Sequence, residues 1–328
     1  MSKTKRNISD EALGEIFLRH SLGKVAKVTP LKGGQFNSVL KVTVQDCKDY
    51  VIKIAPSKET EVLTYEKNLI KSEVYFYENF ADLKNVCFPK ICGYDYSFER
   101  EYQYLIMEYI EGEMLTEAKL SKEEYSQVMF KLGKAMAEIH DLPCEEGFGY
   151  IQNGLCKTWE EAYLSMTENV IKNAESKNVK IPYLGEIRSI IEENRNILRE
   201  VKNTSFVHFD LWAGNIILKD KKLYALIDCE RAMLGDRVGD FISLDYTAAF
   251  DLEENKHLIE GYNNVANEPL TFDSNEMKRL YLMKIYLGLI VYTEQYYRHG
   301  RLSPEFYANR KFGKKVLHNA IENIKRMG

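Results

Sequence analysis

One short segment in the second half of this 328-residue chain constrains the fold more than any other. Two apolar runs, 216–218 and 223–227, flank a short polar turn, and this pattern predicts a tight β-hairpin. Asp210 and Asn215 come before the hairpin, and Asp228 follows it directly. Because a hairpin returns the chain to its starting point, we expect Asp228 to lie close to Asp210 and Asn215.

The spacing of the polar residues before the hairpin indicates a phosphoryl-transfer loop. His208, Asp210, Leu211 and Asn215 fit the pattern His-x-Asp-Leu-x-x-x-Asn, in which kinases present a hydroxyl-orienting Asp and a metal-binding Asn. Asp228 would then be the principal Mg²⁺ ligand. Each residue alone could be an ordinary turn residue. Their occurrence together at this spacing favours the catalytic interpretation.

The N-terminal third has the pattern of a nucleotide-binding sheet. The β-rich runs 25–31 and 39–44 flank a turn that contains Gly33 and Gly34, where backbone N–H groups could approach phosphates. After the next turn, Lys53 stands alone among apolar residues of an alternating strand, as expected of a lysine that pairs with nucleotide phosphates. The alternative is an exposed lysine that protects a sheet edge.

A phosphate-binding lysine of this kind needs a carboxylate partner on the following helix. We predict Glu73 as this partner, since it lies in the apolar helical pattern 69–77, twenty positions after Lys53. Glu66 is the competing candidate. Only the folded geometry distinguishes the two.

A further apolar strand, within 102–112, is predicted to run into a linker between two lobes. We expect the adenine of a nucleotide to form hydrogen bonds with the backbone of Glu108, Tyr109 and Ile110. Contacts of this kind involve the backbone, so the side chains there indicate little about the choice between ATP and GTP.

The chain resembles the aminoglycoside phosphotransferase and choline kinase-like family, which shares the eukaryotic protein kinase fold. The resemblance covers most of the length and rests on the following motifs: Gly33-Gly34, Lys53, Met107-Glu108-Tyr109, His208 to Asn215, Asp228-x-Glu230, Gly235-Asp236 and Gly239-Asp240. It implies that Asp210 is the catalytic aspartate, that Asn215 and Asp228 hold Mg²⁺, and that Asp240 braces the catalytic loop. Phe209 departs from the pattern, since that branch usually carries Gly there.

The resemblance also implies an α+β, bilobal, protein kinase-like fold. Its N-terminal lobe, residues 1–111, would bind the nucleotide with an antiparallel sheet and a helix. Its larger, mostly helical C-terminal lobe, residues 112–328, would hold the catalytic and acceptor-binding residues. Eleven residues separate Asp228 from Asp240, which leaves no room for a long activation loop and disfavours a peptide substrate.

The expected substrates are ATP or GTP and a small molecule with a hydroxyl group, first of all an aminoglycoside-type antibiotic. Carboxylates could bind the ammonium groups of such a polycation, although acidic residues more often form a solvated face. The candidates are Glu145, Glu146, Glu160, Glu161, Asp251, Glu253, Glu254 and Glu294. An amino sugar, a choline-like compound and a macrolide stay open as acceptors, as does a catalytically idle nucleotide-binding module.

The composition favours a cytoplasmic enzyme that acts as a monomer or homodimer. The net charge of −4 argues against a nucleic-acid partner. No run reaches the ~20 apolar residues that a membrane-spanning helix requires. No apolar run follows the first seven residues, so we predict neither a secretory signal nor a membrane partner.

Overall fold

The computed structural model describes residues 3–31, 34, 36–144, 147–242 and 250–328. The N-terminal part is built on an antiparallel sheet of five strands in the spatial order β1-β2-β3-β5-β4. These strands are β1 (Val25–Pro30), β2 (Ser38–Val44), β3 (Asp49–Ile54), β4 (Ile91–Asp95) and β5 (Tyr104–Glu108). Gly33, Glu145 and Glu146 lie outside the described residues, so their predicted roles remain proposals.

Helices cover both faces of this sheet, because its central strands are apolar on both sides. Helix α1 (Asp10–Arg19) packs Leu13, Ile16 and Phe17 against one face, and helix α2 (Leu69–Asn79) contacts β4 and β5. Continuous burial on two faces explains why β3 reads as a nearly unbroken apolar run.

The C-terminal part is mostly helical, with short strands that position polar loops. Its helices are α3 (Lys122–His140), α4 (Trp159–Ser176), α5 (Leu184–Glu193), α6 (Arg195–Leu198), α7 (Lys256–Asn263), α8 (Ser274–Arg298) and α9 (Pro304–Met327). Its strands are β6 (Glu113–Met114), β7 (Ser205–Val207), β8 (Ile216–Lys219), β9 (Lys222–Leu226) and β10 (Met233–Gly235). The predicted hairpin is β8–β9, and β6 joins it to form a three-stranded sheet.

The predicted α+β class, with an antiparallel N-terminal sheet and a helical C-terminal part, is confirmed. The boundary between residues 111 and 112 stays a proposal. Capping signals located helix starts well: Ser121 and Glu124 form the predicted capping box of α3, and Ser303 caps α9. Among the residues described, no helix is long and apolar enough to cross a membrane.

Helices α3 and α7 pack unusually closely because glycines lie at their contact. A Cβ atom built on Gly133 would lie 2.0 Å from the carbonyl oxygen of Leu258. A Cβ atom on Gly261 would lie 1.9 Å from the carbonyl oxygen of Phe130. The side chain of His140, at the end of α3, bonds to Tyr262 of α7 (3.0 Å), which gives this histidine a structural role.

Gly261→Ala should therefore lower the free energy of unfolding by about 3 kcal/mol, since the added methyl group would force two backbones apart. Gly14→Ala is the matched control, because a Cβ atom at this helical glycine of α1 meets nothing within 4 Å. This control should gain about 0.5–1 kcal/mol from the higher helix propensity of alanine. Urea unfolding of both variants would measure the difference, and equal effects would contradict the close-packing account.

Candidate active site

A buried lysine connects three separate elements at the centre of the site. Lys53 of β3 is 6% exposed, and its Nζ lies 2.5 Å from Oε1 of Glu73 in α2. The same Nζ lies 2.5 Å from Oδ1 of Asp228, which follows β9. Glu66, the competing candidate, instead accepts a hydrogen bond from Arg298. The structure therefore brings Glu73, and not Glu66, to Lys53.

The electrostatics favour an ionised cluster. Burial alone would lower the pKa of Lys53, but the carboxylates of Asp228 and Glu73 outweigh it, so the pKa lies above its ordinary value. Burial would likewise raise the pKa of Asp228, but Lys53 outweighs it and the pKa is lowered. Burial raises the pKa of Glu73, against the opposing effect of Lys53. We take Lys53 and Asp228 as a charged pair, since both shifts and their short contact agree.

The backbone around Asp228 aims its carboxylate at Lys53. Asp228 has a left-handed conformation (φ 69°), and its N–H donates to the hydroxyl of Tyr77 in α2 (2.9 Å). The N–H of the preceding Ile227 donates to the carbonyl of Asn215 (3.0 Å). The hairpin thus returns the chain to the loop before it, as its sequence predicted.

Asp210 and Asn215 lie together in this loop. Nδ2 of Asn215 donates to the backbone carbonyl of Asp210 (2.8 Å) and to its carboxylate Oδ2 (3.2 Å). These bonds orient the Asp210 side chain and leave the amide oxygen of Asn215 as the group that could bind a metal. Nε2 of His208 bonds to the carbonyl of Ile227 (3.0 Å), which holds the loop against the hairpin.

A fully buried carboxylate, that of Asp240, holds the loop from behind. It accepts the backbone N–H groups of His208 (3.1 Å) and Phe209 (2.6 Å), and Oδ2 also bonds to His140 (2.9 Å). Phe209 has a left-handed φ of 62°, which explains why glycine is usual at this position in the related family. The buried ring of Phe209 packs against Tyr286, and these contacts offset the backbone strain.

A single cavity of about 430 Å³ joins these residues to the predicted linker. This volume lies within the usual range for small-molecule sites. One part of the lining includes Gly34, Val39, Lys53, Met107, Glu108, Tyr109 and Ile110. Another part includes Asp210, Trp212, Asn215, Asp228, Glu230, Arg231, Leu287, Glu294 and Arg298. Glu73 is not among the lining residues, but it contacts Lys53, which is.

Two backbone N–H groups of the linker already form hydrogen bonds within the protein. The N–H of Glu108 donates to the carbonyl of Lys90 (2.9 Å), and the N–H of Tyr109 donates to that of Asp49 (3.2 Å). These two donors are already engaged. An adenine at this edge would therefore have to be recognised by the next N–H, that of Ile110, or by backbone carbonyls.

Sequence reasoning missed three residues that shape the site. Tyr77 supports Asp228, as described above. Arg231 and Arg298 both line the cavity, and both pair with Glu294, at 3.1 and 2.9 Å. No local motif marks these arginines as part of the site: Arg298 is one helical turn from Glu294, but its contact with Glu66 and that of Arg231 with Glu294 join distant parts of the chain.

Most of the described acidic residues that were candidates for binding a polycation already form ion pairs or hydrogen bonds with other residues of the protein. Glu160 is held by Arg195 and Arg199, and Glu161 caps the start of α4. Asp251 accepts the N–H of Glu254, and Glu253 pairs with Lys256. Glu294 lines the cavity, but two arginines already neutralise it. Of the described acidic candidates, only Glu294 therefore lines the cavity.

Asp240→Ala should lower the free energy of unfolding by about 3 kcal/mol, because it leaves two buried backbone N–H groups without their acceptor. The loop that carries Asp210 would lose its support in the same variant. Asp82→Ala, at an exposed position, is the control and should change stability by less than about 0.5 kcal/mol. Chemical denaturation measures both variants. A loss no larger than that of the control would show that Asp240 does not brace the loop.

Comparisons with known proteins place this geometry in a family. The model of the phosphotransferase enzyme family matches residues 27–273. The LicA homolog of Metamycoplasma hominis is 25% identical over 185 residues, which are 56% of this chain and 63% of that protein, less than two thirds of its length.

Solved structures share the fold over almost the whole chain. The ternary complex of APH(2″)-IIa with streptomycin and ATP has a TM-score of 0.64 at 17% identity and covers 97% of this chain and 99% of its own. The complex of a thermostable APH(4)-Ia mutant with AMP-PNP and hygromycin B has a TM-score of 0.64 at 16% identity and covers 93% of this chain and 97% of its own. These likenesses confirm the predicted bilobal kinase-like fold, and the family match covers well over half of the chain. The chain belongs to the phosphotransferase enzyme family, so that the predicted enzyme class, a phosphotransferase, is confirmed.

Proposed function

We propose that this protein transfers the γ-phosphoryl group of ATP to a hydroxyl group of a small molecule. The observation that carries the proposal is the position of Asp210, which lines the same cavity as Lys53 and Asp228. A cation for the phosphates and a carboxylate for the acceptor hydroxyl therefore adjoin one space. This combination is what in-line phosphoryl transfer requires.

Each residue of the site has a proposed role. Lys53, oriented by Glu73, binds the nucleotide phosphates together with the turn that contains Gly33 and Gly34. The N–H of Ile110, beside Glu108 and Tyr109, binds the adenine. Asp210 accepts a hydrogen bond from the acceptor hydroxyl and aligns it. A carboxylate is a weak base toward an alcohol, so we assign Asp210 mainly the role of orienting the hydroxyl group.

The donor set fits Mg²⁺, which the family resemblance implies. The carboxylate of Asp228 and the amide oxygen of Asn215 are the hard oxygen ligands that this ion prefers, and Mg²⁺ usually keeps waters and phosphate oxygens as its other ligands. Across the described residues, no group of three or more His, Cys, Asp and Glu could hold a metal ion. The proposed site would thus depend on the nucleotide. When bound, Mg²⁺ would neutralise charge on the phosphates.

Aminoglycosides are the first acceptor class that we propose, with ATP preferred to GTP as donor. The fold likeness to the complexes with streptomycin and with hygromycin B supports this choice. A second candidate is a smaller acceptor with fewer positive charges, such as an amino sugar. The paired state of Glu294 favours it, because a polycation would need unpaired carboxylates.

Asp210→Asn should reduce turnover by about 10²–10⁴-fold and leave the affinity for ATP nearly unchanged, since Asp210 is proposed to contact the acceptor rather than the nucleotide. Asp220→Asn is the matched control, because Asp220 lies exposed at the β8–β9 turn with a φ of 50° that asparagine also tolerates. Acceptor-dependent ADP release would be measured with Mg²⁺ present. Near-normal turnover in Asp210→Asn would contradict the assigned role.

An acceptor panel distinguishes the two classes. Aminoglycosides, amino sugars, choline analogues and macrolides would each be tested with ATP and with GTP. Stimulation by aminoglycosides alone would support the first class, and stimulation by amino sugars alone the second. Nucleotide binding without any phosphorylated product across the panel would favour an idle binding module over an enzyme of either specificity.

A further inference from the structure

An N-terminal segment, residues 3–6, runs from Arg298, which lines the cavity, to Ser38 at the start of β2. At one end, the N–H of Lys3 donates to the carbonyl of Arg298, the last residue of α8 (2.9 Å). At the other end, the N–H and carbonyl of Arg6 both bond to Oγ of Ser38, at 2.8 and 2.7 Å. The intervening Thr4 is 1% exposed. The segment is therefore anchored to both sides of the site, at helix α8 and at the start of β2.

Between these two anchors, Lys5 points into the site. Its Nζ donates to the backbone carbonyl of Asn37. A Cβ atom built on Gly34 would lie 3.6 Å from this Nζ, so the ammonium group lies beside Gly34, which lines the cavity. The amide of Asn37 in turn donates to Glu230, two residues after Asp228 (3.0 Å). Lys5 thus lies beside Gly34 and Asn37, and Asn37 links it to Glu230 near the proposed metal ligand Asp228.

The charges around Lys5 belong to the site. Burial is the largest influence on its pKa and lowers it, while the carboxylates of Glu230 and Asp228 act in the opposite direction. A partly desolvated ammonium group held by one neutral carbonyl can gain a strong charge-assisted bond when a phosphate arrives. Lys53 differs, because two carboxylates already hold it.

We propose that Lys5 binds the terminal phosphate of ATP and assists its transfer, with the segment of residues 3–6 acting as a strap that holds it there. This inference rests on the proposed function. The strap is tied to the end of α8, whose side chains line the acceptor part of the cavity. Lys5 therefore approaches the phosphate chain from the acceptor side, whereas Lys53 approaches it from the sheet. The terminal phosphate is the one nearest the acceptor.

The test compares two nucleotides that differ at this phosphate. The affinities of ADP and of a non-hydrolysable ATP analogue would be measured by calorimetry with Mg²⁺ present. Lys5→Met should weaken binding of the ATP analogue about 10-fold or more, since it removes a charged hydrogen bond. Binding of ADP should change less than about 3-fold. Lys5→Arg should recover part of the loss, because it keeps the charge.

Lys24→Met is the matched control, since the Lys24 side chain is exposed and lies outside the strap. It should leave both affinities unchanged. Equal affinities of wild type and Lys5→Met for the ATP analogue would overturn the role of Lys5 alone. An equal loss for both nucleotides would also overturn it, since the contact would not be to the terminal phosphate. Failure of the wild-type protein to bind either nucleotide would overturn the proposed function as well.

Discussion

The contact of Lys53 with two carboxylates is the interaction on which the rest of the site depends. It joins strand β3, helix α2 and the end of the β8–β9 hairpin at one point, and the bond from Asp228 to Tyr77 reinforces the contact between the last two. If either partner were missing, the other would be an uncompensated buried charge, which is costly in free energy. The pairing therefore constrains how the sheet, the helix and the hairpin are arranged. It also holds Lys53 and Asp228 in the positions that their proposed roles, phosphate binding and metal binding, require.

A second buried cluster of ion pairs also joins separate elements. It lies at the part of the cavity that we propose binds the acceptor. Arg298, 2% exposed at the end of α8, pairs with both Glu66 and Glu294, and Arg231 shares Glu294. The cluster connects the segment before α2 to the long helix α8. Because its charges compensate one another, this region of the cavity is polar without being strongly negative. That balance bears directly on which acceptors could enter it.

Much of the candidate site could be predicted because its signals are local. The hairpin follows from two apolar runs around a turn, and the grouping of Asp210, Asn215 and Asp228 follows from the hairpin. Helical spacing made Glu73 the predicted partner of Lys53, but the choice between Glu73 and Glu66 required the folded geometry. The left-handed backbone at Phe209 gives a physical reason why the family usually carries Gly there, and the contact of the buried ring with Tyr286 explains how Phe is accommodated.

The remaining features depend on contacts between distant residues. Arg298 meets Glu66 across 232 positions, and Lys5 meets Asn37 across 32. Neither pairing leaves a trace in spacing or periodicity. The acidic candidates were overestimated for the same reason. Their charge is visible in the sequence, but the residues that pair with them are not. Glu160 looks like a candidate ligand until Arg195 and Arg199 are placed beside it.

Phosphorus NMR of ATP with the protein, Mg²⁺ and each acceptor class tests the central claim most directly. Our account predicts that the γ-phosphate resonance is replaced by that of a phosphomonoester of the acceptor, while ADP accumulates in equal amount. Conversion of ATP to inorganic phosphate alone, or bound ATP that stays intact with every acceptor, would contradict phosphoryl transfer to a hydroxyl group.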